Sequence, residues 1–177
     1  AKHLKDATNK LDPKHYRPVL DCRGVNLRLE PFVVHTPSPN ELLDKIAKFT
    51  KEDGKEPEKR ACWFSTTDIH SAFLQLGLKP GISRTCLSFQ SPSGDKYCMK
   101  RVPFGLRTSS AYFLTVLNRV LAPMRHTAGL SFYCDDVIIY TSTISSHLTL
   151  LDQMLSLLVE NDFKCSVSKS FFLFTSE

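Results

Sequence analysis

The chain has 177 residues, 42% of them hydrophobic, 10% aromatic and 23% charged, enough for one compact domain or two small lobes on a shared core and unlike the make-up of a disordered chain. A formal net charge of +5 and a pI near 8.9 suit a polyanionic partner without requiring one. No run approaches the roughly 18 apolar residues of a membrane span, no secretory signal opens the chain, and six cysteines without a close pair exclude a zinc knuckle or a thioredoxin motif and fit a reduced, intracellular setting.

The chain opens at Ala1 rather than Met, as an excerpt of a longer polypeptide would. Lys2, Lys5, Lys10, Lys14, Arg17, Arg23 and Arg28 give the first thirty residues a basic bias, which fits a phosphate-facing arm and a solvated face equally well. Residues 16–20 read as a short extended piece, and Pro31, Pro37 and Pro39 break regular structure after it. Asn40 offers an N-cap for a short helix with Leu42, Leu43, Ile46 and Ala47 on one face, ending near Thr50. The mixed charges of 51–60 predict an exposed loop.

Aromatic and β-branched residues from Trp63 to Ile69 predict a strand ending close to Asp68. The turn Ser91 to Asp95 lies between the apolar runs Cys86 to Phe89 and Tyr97 to Met99, a hairpin pattern. Phe113, Val116, Leu117, Val120 and Leu121 recur at helical spacing, with Thr108 or Ser109 as cap and Pro123 as stop. Gly129 to Tyr133 and Val137 to Tyr140 flank Cys134-Asp135-Asp136, which predicts a second hairpin with carboxylates at its tip. Ser146 is the expected cap of a last helix with a core stripe of Leu148, Leu151, Leu155 and Leu158, ended by Asn161 and Asp162.

Two adjacent aspartates between apolar strands repel one another unless a positive charge stands close, and a divalent cation with oxygen ligands is the simplest remedy. A bare Asp-Asp pair also makes an ordinary turn. The weight therefore falls on Asp68: adjacent strands of one sheet would bring it to the same edge as Asp135, and three converging carboxylates suit two-metal phosphoryl transfer. Lys10, Lys14 and Arg17 could serve a triphosphate tail or lie as plain surface charge.

These residues carry a resemblance. Phe132-Tyr133-Cys134-Asp135-Asp136-Val137-Ile138-Ile139 resembles the Tyr-x-Asp-Asp hairpin of reverse transcriptases. In the family's order, Tyr16 to Asn26 resembles its fingers motif, Phe64 to Phe73 its first aspartate motif, and Val102 to Phe113 its template- and dNTP-facing motif in the gypsy-type LTR-retrotransposon form. Asn161 to Lys164 and Lys169 to Phe172 resemble the motif after the hairpin.

The resemblance implies an α+β fold of the right-hand polymerase kind, its antiparallel palm sheet backed by helices and its aspartates on the open face. It assigns 1–31 and 76–108 to the fingers and 32–75 and 109–177 to the palm. It implies Asp68, Asp135 and Asp136 as ligands of two Mg²⁺ ions, with Mn²⁺ an alternative, and Lys169 as general acid toward pyrophosphate, a role for which Lys164 competes. Lys10 and Arg17 would grip the triphosphate. Phe73 would be the steric gate against a 2′-hydroxyl, with an ordinary core role as its alternative, and Phe104 and Gly105 would lie beside the base. Arg23, Arg107 and Tyr133 would face template or primer.

The implied activity is RNA-directed DNA polymerisation within a retrotransposon Pol polyprotein, with RNA or DNA template, primer, dNTP and neighbouring RNase H and integrase domains as partners and no membrane. A cytoplasmic, virus-like-particle location follows, leaving a nuclear stage open. Two other readings are a decayed or co-opted nucleic-acid-binding remnant without catalysis and a metal-dependent nuclease, the latter leaving the fingers motif and Phe73 unexplained. His70, Ser71 and Cys134 depart from the usual gypsy-type residues without removing a ligand, and the insertion at 51–60 has no assigned role. The chain ends before the expected primer-grip strand, so thumb and RNase H are expected outside it.

Overall fold

The computed structural model describes residues 19–51, 62–124, 127 and 129–175. Lys10, Arg17, most of the extended piece at 16–20 and nearly all of the charged loop at 51–60 lie outside the described residues. The fold is α+β. A four-stranded antiparallel sheet has the order β4-β5-β1-β6, with β1 Trp63–Asp68, β4 Leu130–Tyr133, β5 Asp136–Thr141 and β6 Phe171–Thr175. A separate two-stranded ribbon joins β2 Ser88–Gln90 to β3 Lys96–Cys98. Both predicted hairpins and the Trp63 strand are present.

Side chains alternate along β1 and β5, so their register divides the large sheet into two faces, while β6 pairs irregularly and has Leu173 at φ 56°. On one, Ser65, Thr67, Val137, Ile139 and Thr141 are buried under α5 Ser109–Val120 and α6 Ile144–Glu160, whose Phe113, Leu117, Leu150, Met154 and Leu158 fill the core. The other face carries Thr66, Asp68, Asp136 and Ile138, all half-buried. Its far end is closed by α2 Pro39–Lys51, where Phe49 meets Tyr140 edge-on at 5.1 Å. Among the described residues, no helix covers the end bearing the aspartates.

Four expectations need correction. Asn40 does not cap α2: Ser38 does, its Oγ accepting the Glu41 N–H at 3.2 Å, because Pro39 with its fixed φ and missing N–H fits the first helical position. Leu43 is 62% exposed, and the inward residues are Leu42, Ile46 and Phe49. Ser146 does not cap α6 either. Thr143 does, its Oγ1 accepting the Ser146 N–H at 3.2 Å while the Ser146 hydroxyl turns back to the Thr143 carbonyl. Finally, Leu148 is 49% exposed; the buried stripe is His147, Leu150, Met154 and Leu158, one residue round the helix. A histidine at its head disguised it.

The other boundaries agree with expectation. Asp162, with φ 60°, takes the left-handed position after α6. Pro123 sits in a 3-10 turn, Ala122–Met124, just past α5. Three single-turn helices without a sequence signal complete the path: α1 Arg23–Asn26, α3 Ala72–Gln75 and α4 Ile82–Thr85.

Candidate active site

The β1–β5 register sets Asp68 directly opposite Asp136, which puts both carboxylates on the same face. Tyr133 in turn lies opposite Asp136, so only Cys134 and Asp135 form the turn. Cys134 has φ 55°, the conformation a two-residue hairpin requires at its first turn position and one that normally favours glycine. The Ile69 N–H reaches the Asp135 carbonyl at 3.2 Å, tying the turn to the end of β1. Three carboxylates thus gather at one sheet end.

The segment after α6 closes the other side of Asp68. The Ser166 N–H donates to the Asp68 carbonyl at 2.8 Å, and the Asp68 N–H donates to Ser170 Oγ at 3.2 Å. Between them the single turn Val167–Lys169 brings Lys169 Nζ to 3.7 Å from Asp68 Oδ1, the carboxylate side chain 16% exposed and the lysine 64%. Burial first, then Asp135 and Asp68, push the Asp136 carboxyl above its ordinary range, with Lys169 pulling the other way. Among the described residues, the negative charge around Asp136 exceeds the positive.

This donor set fits a hard cation. It offers carboxylate oxygens in electrostatic conflict, and the nearby Cys134 and Cys165 thiols are pushed up by burial and then by the aspartates, which keeps them protonated and poor ligands. Among the described residues no three His, Cys, Asp or Glu side chains form a ready-made cage. Magnesium needs none, since it binds through one or two carboxylates together with water and substrate phosphates.

Phe73, half-buried on α3, has its ring 5.6 Å from Phe104 and 6.0 Å from the core residue Phe113. It bridges the core and the loop at 103–107. Gly105, with φ +87°, lets that loop turn against the Leu20 carbonyl, 3.5 Å from where a Cβ would stand. Arg107 is exposed, its Nη1 donating to the Asn26 carbonyl at 3.3 Å. The Arg23 guanidinium is already engaged: it chelates Asp21 at 2.6 Å, and this hydrogen bonding holds the Asp21 carboxyl down at about 2.

Two side chains without an assigned role in the sequence reading stand out. The Asn26 carboxamide donates to the Gly105 carbonyl and accepts the Arg107 N–H, both at 2.9 Å. The Gln75 carboxamide accepts the Lys164 N–H at 2.7 Å and donates to the Lys164 carbonyl at 2.9 Å and to that of His70. They join segments 79 and 89 residues apart, and such pairings leave no local periodicity to detect.

Residues 5–177 match the family described as reverse transcriptase (RNA-dependent DNA polymerase), and the chain belongs to that family. It is 30% identical over 159 residues to the retrovirus-related Pol polyprotein from transposon 297 of Drosophila melanogaster, covering 89% of this chain and 14% of that protein. With the Pol polyprotein from transposon gypsy of the same fly it shares 31% over 170 residues, or 95% of this chain and 15% of the relative. The chain therefore spans only a small part of these curated relatives. Among solved structures, the foamy viral protease-reverse transcriptase dRH in complex with ds DNA aligns with TM-score 0.67 and 26% identity over 89% of this chain and 25% of that one. A prototype foamy virus protease-reverse transcriptase mutant aligns with TM-score 0.71 and 22% identity over 90% of this chain and 19% of that one, a likeness of fold.

Proposed function

We propose that the chain is the nucleotide-adding part of an RNA-directed DNA polymerase in a retrotransposon Pol polyprotein, extending a primer with dNTPs on an RNA or DNA template. The observation that carries this reading is the β1–β5 register that sets Asp68 opposite Asp136 with Asp135 at the adjoining turn. Nothing among the described residues favours the catalytically silent alternative.

Asp68, Asp135 and Asp136 would hold divalent cations, Mg²⁺ or Mn²⁺, which when bound supply positive charge to the attacking and leaving oxygens. In the reaction the primer 3′-hydroxyl loses its proton and its oxygen attacks the α-phosphorus in line, the bond to the bridging oxygen breaks, and pyrophosphate leaves. Lys169, held beside Asp68 by the Ser166 and Ser170 bonds, is placed to give a proton to the leaving group. Lys164 is the weaker candidate, because the ammonium beside Asp68 is that of Lys169.

Phe73, packed between Phe104 and the core, would form the floor against a ribose 2′-hydroxyl, with Phe104 and Gly105 along the base. Arg17 and Lys10 would take the triphosphate, and Arg107 and Tyr133 the template and primer strands. Arg23 would contact nucleic acid while its Nε and Nη2 remain with Asp21. On this reading the ribbon at 88–98 and the loop at 103–107 belong to the fingers, within 1–31 and 76–108, and the four-stranded sheet with α5 and α6 belongs to the palm, within 32–75 and 109–177.

The test is primer extension by the full protein. Asp135→Asn and Asp68→Asn should each reduce dNTP incorporation by about a hundredfold or more while leaving the unfolding midpoint nearly unchanged. Ordinary extension by the Asp135→Asn protein would refute the reading.

A further inference from the structure

The turn at 103–107 has few means of holding its own shape. Gly105 takes a backbone conformation open to few other residues, its φ being +87°. Within the turn, the Ser109 N–H and hydroxyl return to the Leu106 and Pro103 carbonyls. The middle of the turn is held from outside, by residues 20–26: the Cys22 thiol faces the Phe104 carbonyl at 3.9 Å, and the Asn26 carboxamide takes the Gly105 carbonyl and the Arg107 N–H together at 2.9 Å each.

An amide that donates to one backbone carbonyl and accepts from the N–H two residues on stands in for a neighbouring strand, and fixes both the position and the tilt of the peptide between them. Asn26 is itself anchored, its own N–H donating to the Cys22 carbonyl at 2.8 Å and its carbonyl accepting from Arg107 Nη1. Through this turn it sets how Phe104 lies beside Phe73, whose rings are 5.6 Å apart.

We propose that Asn26 is a positioning residue of the nucleotide site: its carboxamide fixes the Gly105–Arg107 turn, and so the placement of Phe104 beside the Phe73 ring, without itself touching the nucleotide. This rests on the polymerase reading above and adds to it a specific determinant of nucleotide affinity. Loss of the amide frees the turn to relax, so the incoming nucleotide meets a site that must first be ordered. Apparent affinity then falls, whereas the carboxylates, placed by the β1–β5 register and not by this turn, are undisturbed.

The test is steady-state primer extension with Asn26→Ala and Asn26→Asp in the full protein. Asn26→Asp keeps the acceptor toward the Arg107 N–H and turns a second oxygen toward the Gly105 carbonyl, so it removes one bond at nearly constant shape. Both variants should raise KM for dNTP about tenfold, the equivalent of one to two hydrogen bonds, with kcat changed no more than about threefold and the thermal midpoint within a few degrees of wild type. A fall in kcat at unchanged KM in a protein of native stability would overturn the inference, since it would show that the amide serves the fold or the chemistry and not the nucleotide. Should Asn26→Ala fail to fold, Asn26→Asp alone decides, by the same split. An unmodified protein that incorporates no dNTP would overturn the polymerase reading and the inference with it, an outcome distinct from an active Asn26→Asp protein with unaltered KM.

Discussion

His147 shows how a single polar side chain can be accommodated in the core and what its burial implies. Thr141 Oγ1 donates to the Thr143 carbonyl at 3.1 Å, so it must accept the His147 Nδ1–H at 2.9 Å. Nε2 is then an acceptor for the Ser65 hydroxyl at 2.7 Å, and Ser65 Oγ accepts the Leu173 N–H at 3.1 Å. Every donor in this chain finds an acceptor only if the imidazole is neutral, and burial pushes its pKa below the ordinary value. The unfolded chain binds the proton more readily, so the stabilisation is complete above the unfolded pKa of about 6.5 and is lost as pH falls below it, by at most about 1.4 kcal/mol per pH unit. Urea unfolding between pH 5 and 8 should show wild type losing stability toward acid and His147→Gln, less stable throughout, losing less over the same range. Parallel curves for the two proteins would contradict this. None of the network was legible in the sequence, where His147 is one polar residue among leucines; the same holds for Asn26 and Gln75, whose partners lie 79 and 89 positions away. The aspartates were legible because a carboxylate at the end of a β-prone run is an exception to local composition.

At the scale of elements, strands were read more faithfully than helix ends. Trp63–Asp68 and Asp136–Thr141 are rich in aromatic and β-branched residues bounded by charge or turn residues, and that pattern has few competing interpretations. Helix starts were misread for a shared reason: Ser38 before Pro39 and Thr143 before Ile144 compete with Asn40 and Ser146 as caps, and the choice depends on where the chain enters the helix. The buried face of α6 was missed for a separate reason: its stripe is headed by a histidine, and a shift of one residue rotates the stripe by about 100°. The structure therefore assigns core weight to Met154, wholly buried against the sheet, in preference to Leu148. Met154→Ala should destabilise the fold by about 2–5 kcal/mol, while Leu148→Ala should change it by no more than about 0.5 kcal/mol, as read from chemical denaturation. Equal losses from the two substitutions would restore the leucine stripe as the buried face.

For the molecule as a whole, the proposed polymerase role requires a site built of three carboxylates to approach a polyanion. The chain as a whole carries +5, while at the carboxylate end the described positive partner is Lys169 beside Asp68. Attraction must therefore come from charges spread over the surface, such as Lys96, Lys100, Arg101 and Arg107, which are all exposed. Diffuse charge of this kind acts by displacing the counterions condensed on nucleic acid, with a slope of about −0.9 per phosphate neutralised for a duplex. With on the order of three to five phosphates engaged, affinity for a primer–template duplex should fall roughly 40- to 500-fold between 50 and 200 mM salt. Fluorescence anisotropy of a labelled duplex titrated with the protein at fixed Mg²⁺ measures that slope. Reversing one exposed cation with Arg101→Glu should lower its magnitude by about one or more without sequence preference, because a phosphate contact carries no base information. Affinity that ignores ionic strength would mean that the duplex is held by apolar and base contacts and that the basic surface faces solvent or another part of the protein.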